Sequence, residues 1–275
     1  MQVSETEDFK KIWIITPFLH NELPNLESFL ESHKWFLTKG GKILLKSDGR
    51  IDQKQLDHLI GTGIVLIQKP DISLYDAWNQ GMDFLLSINI DLDSYITFLG
   101  LDDRLSNDFC RKTIEAVKND PKIDFIYGNG RSTLNGRYKD LAVTNKPALF
   151  NGAEYVFDVL HPGLMNRWST IRDQRFDINY RLAADLDFYI GITQRQQVIY
   201  KHLSVIQAII GADGVSNNAK ALNIYINEWT SISKKRGVFL RLDQRRMYFL
   251  RILSKFPRLF FILRRGYWSV TAKKL

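Results

Sequence analysis

The sequence has little of what identifies several protein classes. Its 275 residues include one cysteine, Cys110, so no internal disulfide can form and a disulfide-scaffolded fold is excluded. No uncharged apolar run approaches the roughly 18 residues needed to span a bilayer, and the best candidate, residues 259–263, is flanked by Arg258 and Arg264. Residues 1–8 lack the basic start and apolar stretch of a signal peptide, so we expect a cytoplasmic protein.

Signatures of common catalytic sites are also missing. The five histidines and Cys110 show no zinc-ligand spacing. There is no phosphate-binding Gly-x-x-x-x-Gly-Lys loop and no Gly-x-Ser-x-Gly elbow. The sequence therefore does not support a zinc site, a P-loop site or a serine-hydrolase site.

The positive charge is concentrated near the end of the chain. Overall the formal net charge is +8, but residues 1–233 hold 25 basic and 29 acidic residues, whereas residues 234–275 hold 13 basic residues and one acidic residue. Residues 1–232 thus form a mildly acidic globular part, and residues 233–275 form a basic amphipathic tail that we expect to be helical.

Basic residues in this tail alternate with large apolar and aromatic ones, a pattern typical of segments that lie on an anionic bilayer. We expect the tail to hold the protein at the inner face of the cell membrane. The alternative is a packed C-terminal helix with Lys and Arg in solvent. A basic RNA-binding module is a further alternative, but it predicts basic residues across the folded part, which is net acidic, so no nucleic-acid partner is expected.

Short apolar runs alternate with segments of helical period. Strands are predicted at residues 12–15, 43–45, 64–67, 95–99 and 125–127, with helices between them, near 183–192 and after 218. This alternation predicts an α/β fold with a mostly parallel sheet flanked by helices. In such sheets ligands bind where loops leave the carboxyl ends of strands.

The most informative loop holds Asp102 and Asp103, directly after an apolar strand. Neighbouring side chains of an extended chain point different ways, so one carboxylate can hold a hard divalent cation while the other accepts a hydrogen bond from a sugar hydroxyl. The alternative is that one aspartate caps a helix beginning near Ser106.

Other strand ends add polar residues to the same predicted edge. Asp48, beside Gly49, can accept from the N–H of a base, and the segment after the third strand places polar residues at a helix start, where an anion is favoured. The residues at these ends are Thr16, Pro17, Asp48, Asp71, Tyr75, Asp76 and Asn79.

The order of these motifs resembles one family. Residues 15–17, 48–52, 70–81 and 98–103, followed by residues 161–164, 180–187 and 211–216, are similar to motifs of the inverting family 2 glycosyltransferases with the Rossmann-like GT-A fold. The bacterial enzymes of surface-polysaccharide assembly, of the colanic-acid type, are the most similar group. The resemblance covers roughly residues 11–232.

The resemblance implies a nucleotide-sugar part at about residues 1–130 and an acceptor part at about residues 131–232. It implies that Thr16, Pro17, Asp48 and Asp71 line the nucleotide pocket, with Tyr75, Asp76 and Asn79 as further substrate contacts. It makes Asp102 a ribose or sugar contact, Asp103 the ligand of Mn²⁺ or Mg²⁺, and His161 a contact of the diphosphate or acceptor. Asp185 becomes the general base, with an exposed or capping role expected for Asp187.

The implied reaction is metal-dependent inverting transfer of a sugar from a nucleotide diphosphate-sugar to a hydroxyl of a lipid-linked saccharide, in surface-polysaccharide biosynthesis. A sugar-phosphate nucleotidyltransferase is the alternative enzyme. It would carry a Gly-rich basic loop near its N-terminus, and residues 16–20 are not such a loop.

Overall fold

The structure is a computed structural model that describes residues 9–51, 61–134, 137–141, 148–150, 153–155, 160–211 and 219–238, with short pieces at 252, 255–256 and 273–274. Its helices are α1 (Leu23–Ser32), α2 (Lys34–Thr38), α3 (Leu74–Ser87), α4 (Asn107–Asn119), α5 (Trp168–Ile171), α6 (Ala184–Arg195) and α7 (Ala219–Arg236). Its strands are β1 (Ile12–Phe18), β2 (Lys42–Ser47), β3 (Ile64–Gln68), β4 (Tyr95–Phe98), β5 (Arg104–Leu105), β6 (Phe125–Leu134), β7 (Arg137–Leu141), β8 (Ala148–Phe150), β9 (Ala153–Tyr155), β10 (Met165–Arg167), β11 (Tyr200–Gly211) and β12 (Lys273–Lys274).

Four parallel strands form the N-terminal half of the sheet, in the order β3-β2-β1-β4. Strands β1, β2 and β4 read as near-continuous apolar runs because helices cover both faces of a parallel sheet. One apolar cluster lies on the face covered by α1, α2 and α4, and a second lies on the face covered by α3, α6 and α7.

The second half of the sheet is mixed. Strand β10 pairs antiparallel with both β4 and β6, and β6 pairs antiparallel with β7 and parallel with β11. Strand β11 also pairs with the short β5, while β8 and β9 form a separate hairpin. Strand β10 thereby joins the parallel half to the second half of the sheet.

The predicted α/β class, with helices flanking a sheet, is confirmed, and each of the five predicted strands is present. Parallel pairing predominates only in the first four strands. Strands β10 and β11 were not predicted, because β10 has three residues and β11 is half-buried along most of its length and interrupted by register shifts. The predicted helix near residues 56–60 lies outside the described residues.

Helix α7 runs through residue 233, so the predicted start of the tail lies inside a helix. Lys273 and Lys274 pair with β7 at the edge of the sheet. Residues 239–251 and most residues beyond them lie outside the described part of the chain, and with them most of the predicted tail. Within the described residues, no helix combines the length and apolar character that crossing a membrane requires.

Helix α3 packs closely on β1 through Gly81. A Cβ atom at Gly81 would lie 2.7 Å from Cγ2 of Ile15 and 3.4 Å from Cδ2 of Leu44. We expect Gly81→Val to lower the free energy of unfolding by about 2 kcal/mol, because overpacking a tight interface forces the backbone apart. Urea unfolding checks this, with Gly61→Val as the control, since a Cβ at Gly61 has no neighbour within 4 Å. Equal effects of the two substitutions would contradict the prediction.

Candidate active site

The carboxyl ends of the four parallel strands bring the predicted strand-end residues to one edge of the sheet. The pairing register aligns Phe18 with Ser47, Ser47 with Gln68 and Ile15 with Phe98. Thr16 and Pro17, near the end of β1, therefore lie beside the loops that carry Asp48, Asp71, Asp102 and Asp103. This is the edge at which open α/β sheets bind ligands.

Asp102 and Asp103 sit on a tight turn after β4. The Asp103 N–H donates to the Gly100 carbonyl (3.2 Å), and the Gly100 N–H donates to Oδ2 of Asp103 (2.9 Å). Asp103 is buried and Asp102 is exposed. Burial raises the pKa of Asp103 to about 7, and the negative charge of Asp102 adds to the rise.

Neither aspartate caps the following helix. The N-cap of α4 is Ser106, whose Oγ accepts a hydrogen bond from the Phe109 N–H (3.4 Å). The capping alternative for Asp102 and Asp103 therefore does not hold, and the two carboxylates remain available to a ligand.

Two glycines allow the backbone to approach the Asp102 carboxylate closely. A Cβ at Gly100 would lie 2.8 Å from Oδ1 of Asp102, and a Cβ at Gly211 would lie 2.8 Å from Oδ2. Gly211 ends β11 and opens the predicted 211–216 motif, whose remaining residues lie outside the described part. A side chain at either position would displace the carboxylate.

Two residues that the sequence did not indicate, Arg104 and His33, stabilise the turn that carries Asp102 and Asp103. Arg104 donates through Nη1 to the carbonyls of Leu101 and Asp103, both at 2.8 Å. Buried His33 accepts from the Leu105 N–H at Nε2 (3.1 Å), and burial lowers the pKa of His33 to about 4, so the ring is neutral. Only tertiary contact brings His33 to this turn, 72 residues along the chain.

Asp48 and Asp71 are each anchored through one oxygen. Oδ1 of Asp48 accepts from the His20 N–H (2.6 Å) and contacts the His20 ring (3.0 Å). Burial alone raises the pKa of Asp48, but these His20 interactions outweigh it and hold the pKa below its usual value. Oδ2 of Asp71 contacts Nζ of Lys46 (2.6 Å).

Lys46 is a third residue of the site that the sequence did not indicate. Its side chain is 0% exposed, and Nζ donates to the carbonyls of Ser47 (2.8 Å) and Lys69 (2.5 Å) as well as to Asp71. All three ammonium hydrogens are thereby used, as a buried charge requires. A lysine inside the apolar run of β2 was the available sequence signal.

Other predicted substrate contacts use their polar atoms internally. Asp76 and Ser73 cap the start of α3: the Asp76 N–H donates to Oγ of the N-cap residue Ser73 (3.1 Å), and Asp76 Oδ2 accepts from the Ile72 N–H (3.1 Å). The Asn79 amide pairs with the backbone N–H and carbonyl of Phe176, at 2.8 and 2.9 Å. Asp76 therefore shapes the start of α3, and Asn79 joins α3 to the loop that carries Phe176.

Thr16 and Pro17 differ in their exposure at the end of β1. Thr16 is fully buried, and its Oγ1 has no hydrogen-bond partner within the described residues. Pro17 is half-buried and lies one residue closer to the strand end.

His161 is a neutral ring in an apolar setting. Asn166 donates through Nδ2 to the carbonyls of Ile96 and Leu164, so its Oδ1 accepts the Tyr189 hydroxyl hydrogen (2.9 Å). The Tyr189 oxygen then accepts from Nδ1 of His161 (3.3 Å). Burial lowers the pKa of His161 to about 3, and its buried Nε2 has no partner among the described residues.

The same contacts connect α6 to β4. The His161 ring stacks on Phe98, the last residue of β4, with 5.6 Å between ring centroids. Tyr189 lies one helical turn after Asp185, and its hydroxyl contacts Nδ1 of His161. The helix that carries Asp185 is therefore packed against the strand that leads to Asp102 and Asp103.

Asp185 lies in the first turn of α6 and is half-buried. Its Oδ1 accepts from the Leu186 N–H (2.9 Å). Burial raises the pKa of Asp185 to about 6, backbone hydrogen bonds oppose the rise, and the charge of Glu228 adds to it. A carboxylate with this pKa is ionised at neutral pH and is a stronger base than an ordinary aspartate.

Asp187 has a different environment from the exposed or capping role expected for it. It is buried, and its two oxygens accept from Nε (2.7 Å) and Nη2 (2.8 Å) of Arg236, with Lys235 Nζ at 3.1 Å. These ion pairs occupy Asp187 and join α6 to the end of α7.

The described residues contain no group of three or more His, Cys, Asp or Glu side chains arranged to hold a metal ion. Asp102 and Asp103 are a pair of hard oxygen donors. Mg²⁺ usually takes one or two protein carboxylates and completes its shell with phosphate oxygens and water, so a pair is sufficient when the metal binds together with a diphosphate.

No protein-family model matches the sequence, and no curated protein matches it. Solved structures share its fold. S. aureus TarS 1-349 aligns with a TM-score of 0.55 and 12% identity over 95% of this chain and 75% of that chain. The same protein in complex with UDP-GlcNAc aligns at 0.54, with 12% identity over 95% and 76% of the two chains.

A second glycosyltransferase has the same fold. The mannosyltransferase PcManGT from Pyrobaculum calidifontis, in complex with GDP-Man and Mn²⁺, aligns with a TM-score of 0.57 and 8% identity over 96% of this chain and 76% of that chain. The chain spans 39% of the longer TarS structure, to which it aligns at 0.51 with 13% identity over 79% of its own length. The chain therefore has the fold of glycosyltransferases whose structures hold nucleotide sugars.

The ionised Asp103 carboxylate destabilises the metal-free fold. Its folded pKa of about 7 lies above its unfolded value, so stability falls as pH rises toward 7. We expect Asp103→Asn to raise the free energy of unfolding at pH 8 by about 2 kcal/mol in the presence of a chelator, with the gain vanishing near pH 4. Urea unfolding at both pH values checks this, with Asp108→Asn, at a half-exposed side chain, as the control. Equal free energies of unfolding for the wild type and Asp103→Asn at pH 8 would contradict the prediction.

Proposed function

We propose that the protein is an inverting family 2 glycosyltransferase that moves a sugar from a nucleotide diphosphate-sugar to an acceptor hydroxyl. One observation carries the proposal. A carboxylate of raised pKa, Asp185, is packed through Tyr189 and His161 against the strand that delivers Asp102 and Asp103. The shared fold with TarS and PcManGT supports the reaction class.

Asp185 supplies the base. Its anchored Oδ1 fixes the orientation of the carboxylate, and its second oxygen takes the proton from the acceptor hydroxyl. The acceptor oxygen forms a bond to the anomeric carbon while the bond from that carbon to the leaving diphosphate oxygen breaks on the opposite face. The nucleotide diphosphate leaves with the electron pair, and the configuration at the anomeric carbon inverts.

Asp103 and Asp102 fit a divalent cation, Mn²⁺ or Mg²⁺. They are adjacent hard oxygen donors, and the raised pKa of Asp103 shows that its buried charge is incompletely compensated. Bound there, the ion would offset the charge that grows on the leaving diphosphate. Asp103 would hold the ion, and the more exposed Asp102 would also accept from a ribose or sugar hydroxyl.

In this proposal, Asp48 and Asp71 form the part of the nucleotide pocket that binds the nucleobase. Each carboxylate has one oxygen fixed by an internal donor, His20 or Lys46. The other oxygen is oriented as a result and accepts from a nucleobase N–H. Thr16 and Pro17 line the pocket beside them, and Tyr75 and His161 line its acceptor side.

The acceptor in the proposal is a lipid-linked saccharide, and the pathway is surface-polysaccharide biosynthesis. Ten basic residues and one acidic residue follow Arg236, a charge that favours an anionic membrane surface. Lys235 and Arg236 belong to the folded part, because they pair with Asp177 and Asp187. A peripheral position at the inner membrane face would place the site beside a lipid-linked acceptor.

Asp185→Asn tests the base. We expect kcat to fall at least 100-fold, with the donor KM changed less than threefold, because the substitution removes a base and no nucleotide contact. In the wild type, kcat/KM should rise through pH 6 as Asp185 ionises. Transfer from screened nucleotide-sugars provides the measurement, and a folded Asp185→Asn protein with near-wild-type transfer would refute the role.

The matched control for this variant is Asp108→Asn. Asp108 is likewise the second residue of its helix, α4, but its side chain is 46% exposed and pairs with Arg111. Its transfer rate should match that of the wild type.

Metal dependence has its own measurement. We expect Mn²⁺ with a nucleoside diphosphate to raise the melting temperature by several degrees, because ligands that bind only the folded state stabilise it. The shift should disappear with a chelator and in Asp103→Asn, but persist in Asp108→Asn. A shift of equal size in Asp103→Asn would show that Asp103 does not hold the ion.

A further inference from the structure

The start of α6 poses a hydrogen-bonding problem, because it carries Asp185 but no side-chain cap. Its N-cap residue is Ala183, which offers no acceptor. The N–H groups at a helix start have no partner within the helix, and buried ones need acceptors from elsewhere.

Glu228 of α7 accepts from three backbone N–H groups just before α6, including that of the N-cap residue Ala183. Its Oε1 accepts from the Arg181 N–H (2.6 Å), and its Oε2 accepts from the N–H groups of Leu182 and Ala183, both at 2.9 Å. One carboxylate thus binds three consecutive backbone donors across 45 to 47 residues of sequence. Hydrogen bonds to a charged group are about twice as strong as neutral ones.

Asp185 itself binds one further donor. Its Oδ1 accepts from the Leu186 N–H (2.9 Å), and the backbone of Ala184 and Asp185 lies near the buried Tyr75 side chain. Glu228 and Asp185 therefore accept from four of the N–H groups of residues 181–186. Without Glu228, three donors in front of Asp185 would lose their acceptor.

We propose that Glu228 is the positioning residue for the general base, because it fixes the 181–183 loop that sets the position of Asp185. In a second, electrostatic role, the negative charge of Glu228 makes Asp185 a stronger base. This inference rests on the proposed function. Glu228 need not touch either substrate to act in this way.

The charges around Asp185 support the electrostatic role. The groups that face it are Tyr75 from α3, Tyr189 from α6 itself and Glu228 from α7. The nearby cations, Lys235 and Arg236, are bound to Asp187. Strand β9, which also contacts α6, carries Glu154 in its sequence. Burial raises the pKa of Asp185, and Glu228 is the charge that adds to the rise.

Helix α7 contacts α6 and the loop before it at two places. Glu228 binds the loop, whereas Arg236 forms a bidentate ion pair with Asp187 of α6, and the Arg236 carbonyl accepts from Gln194 Nε2 (2.8 Å). Because the contacts of Arg236 do not involve Glu228, they maintain the packing of the two helices when Glu228 is changed. A Glu228 variant is therefore expected to stay folded.

The first test measures the pKa of Asp185. Carboxyl ¹³C NMR monitors its titration in protein without substrate. In Glu228→Gln we expect this pKa to fall by about 0.5 to 1 pH unit, because a negative charge has been removed. The matched control is Glu115→Gln, which removes the same charge from an exposed position on α4 and should leave the titration unchanged. An unchanged Asp185 pKa in folded Glu228→Gln would overturn the electrostatic role.

Kinetics test the positioning role. We expect Glu228→Gln to lower kcat about tenfold and to shift the acidic limb of the kcat/KM profile to lower pH, with an unchanged donor KM. Glu228→Asp keeps the charge but shortens the reach, so it should keep the Asp185 pKa and still lower kcat. If Glu228→Gln does not fold, Glu228→Asp decides the positioning role, and wild-type kcat in that variant would overturn it.

The two readouts separate failure of this inference from failure of the proposed function. The NMR titration requires no substrate, so it still measures whether Glu228 tunes Asp185 if no nucleotide-sugar is turned over. Transfer activity that is lost in Asp185→Asn but intact in both Glu228 variants would refute the inference and leave the proposed function standing.

Discussion

Four carboxylates of the candidate site are each fixed through one oxygen by a donor within the protein, and the geometry of the site depends on these contacts. Asp48 is bound by His20, Asp71 by Lys46, Asp103 by the Gly100 N–H and Asp185 by the Leu186 N–H. These contacts fix the orientation of each carboxylate, and with it the position of the second oxygen. A carboxylate held in this way keeps one oriented acceptor without the entropy cost of ordering it when a ligand arrives.

The anchors differ in charge, and so do their electrostatic consequences. The interactions of His20 hold the pKa of Asp48 below its usual value. Asp103 and Asp185 have backbone donors and negative neighbours, so burial raises their pKa values to about 7 and about 6. Such carboxylates cost folding free energy when ionised, and the two apolar clusters of the sheet offset that cost. The same incomplete compensation suits them to bind a cation or take a proton.

Two chains of contacts keep these groups in one place. Phe98, His161 and Tyr189 connect β4 to α6, and Glu228 and Arg236 connect α6 to α7. The predicted nucleotide and acceptor parts therefore meet through packed side chains around β4. Asp187 joins this framework through its ion pairs, which leaves Asp185 as the aspartate of α6 that is available for proton transfer.

The sequence by itself determined the strand and helix alternation, the parallel half of the sheet and the loops at its carboxyl edge, because these depend on local periodicity and on residues next to one another. It also located Asp102, Asp103 and Asp185 as candidates. It predicted Asp76 and Asn79 as substrate contacts and an exposed or capping role for Asp187, but not the contacts that these three residues make within the fold. Only the tertiary structure showed those contacts, and only it brought His33, Lys46 and Glu228 to the site. Each of these three binds groups 25 to 72 residues away in the sequence, and no local pattern predicts such an approach.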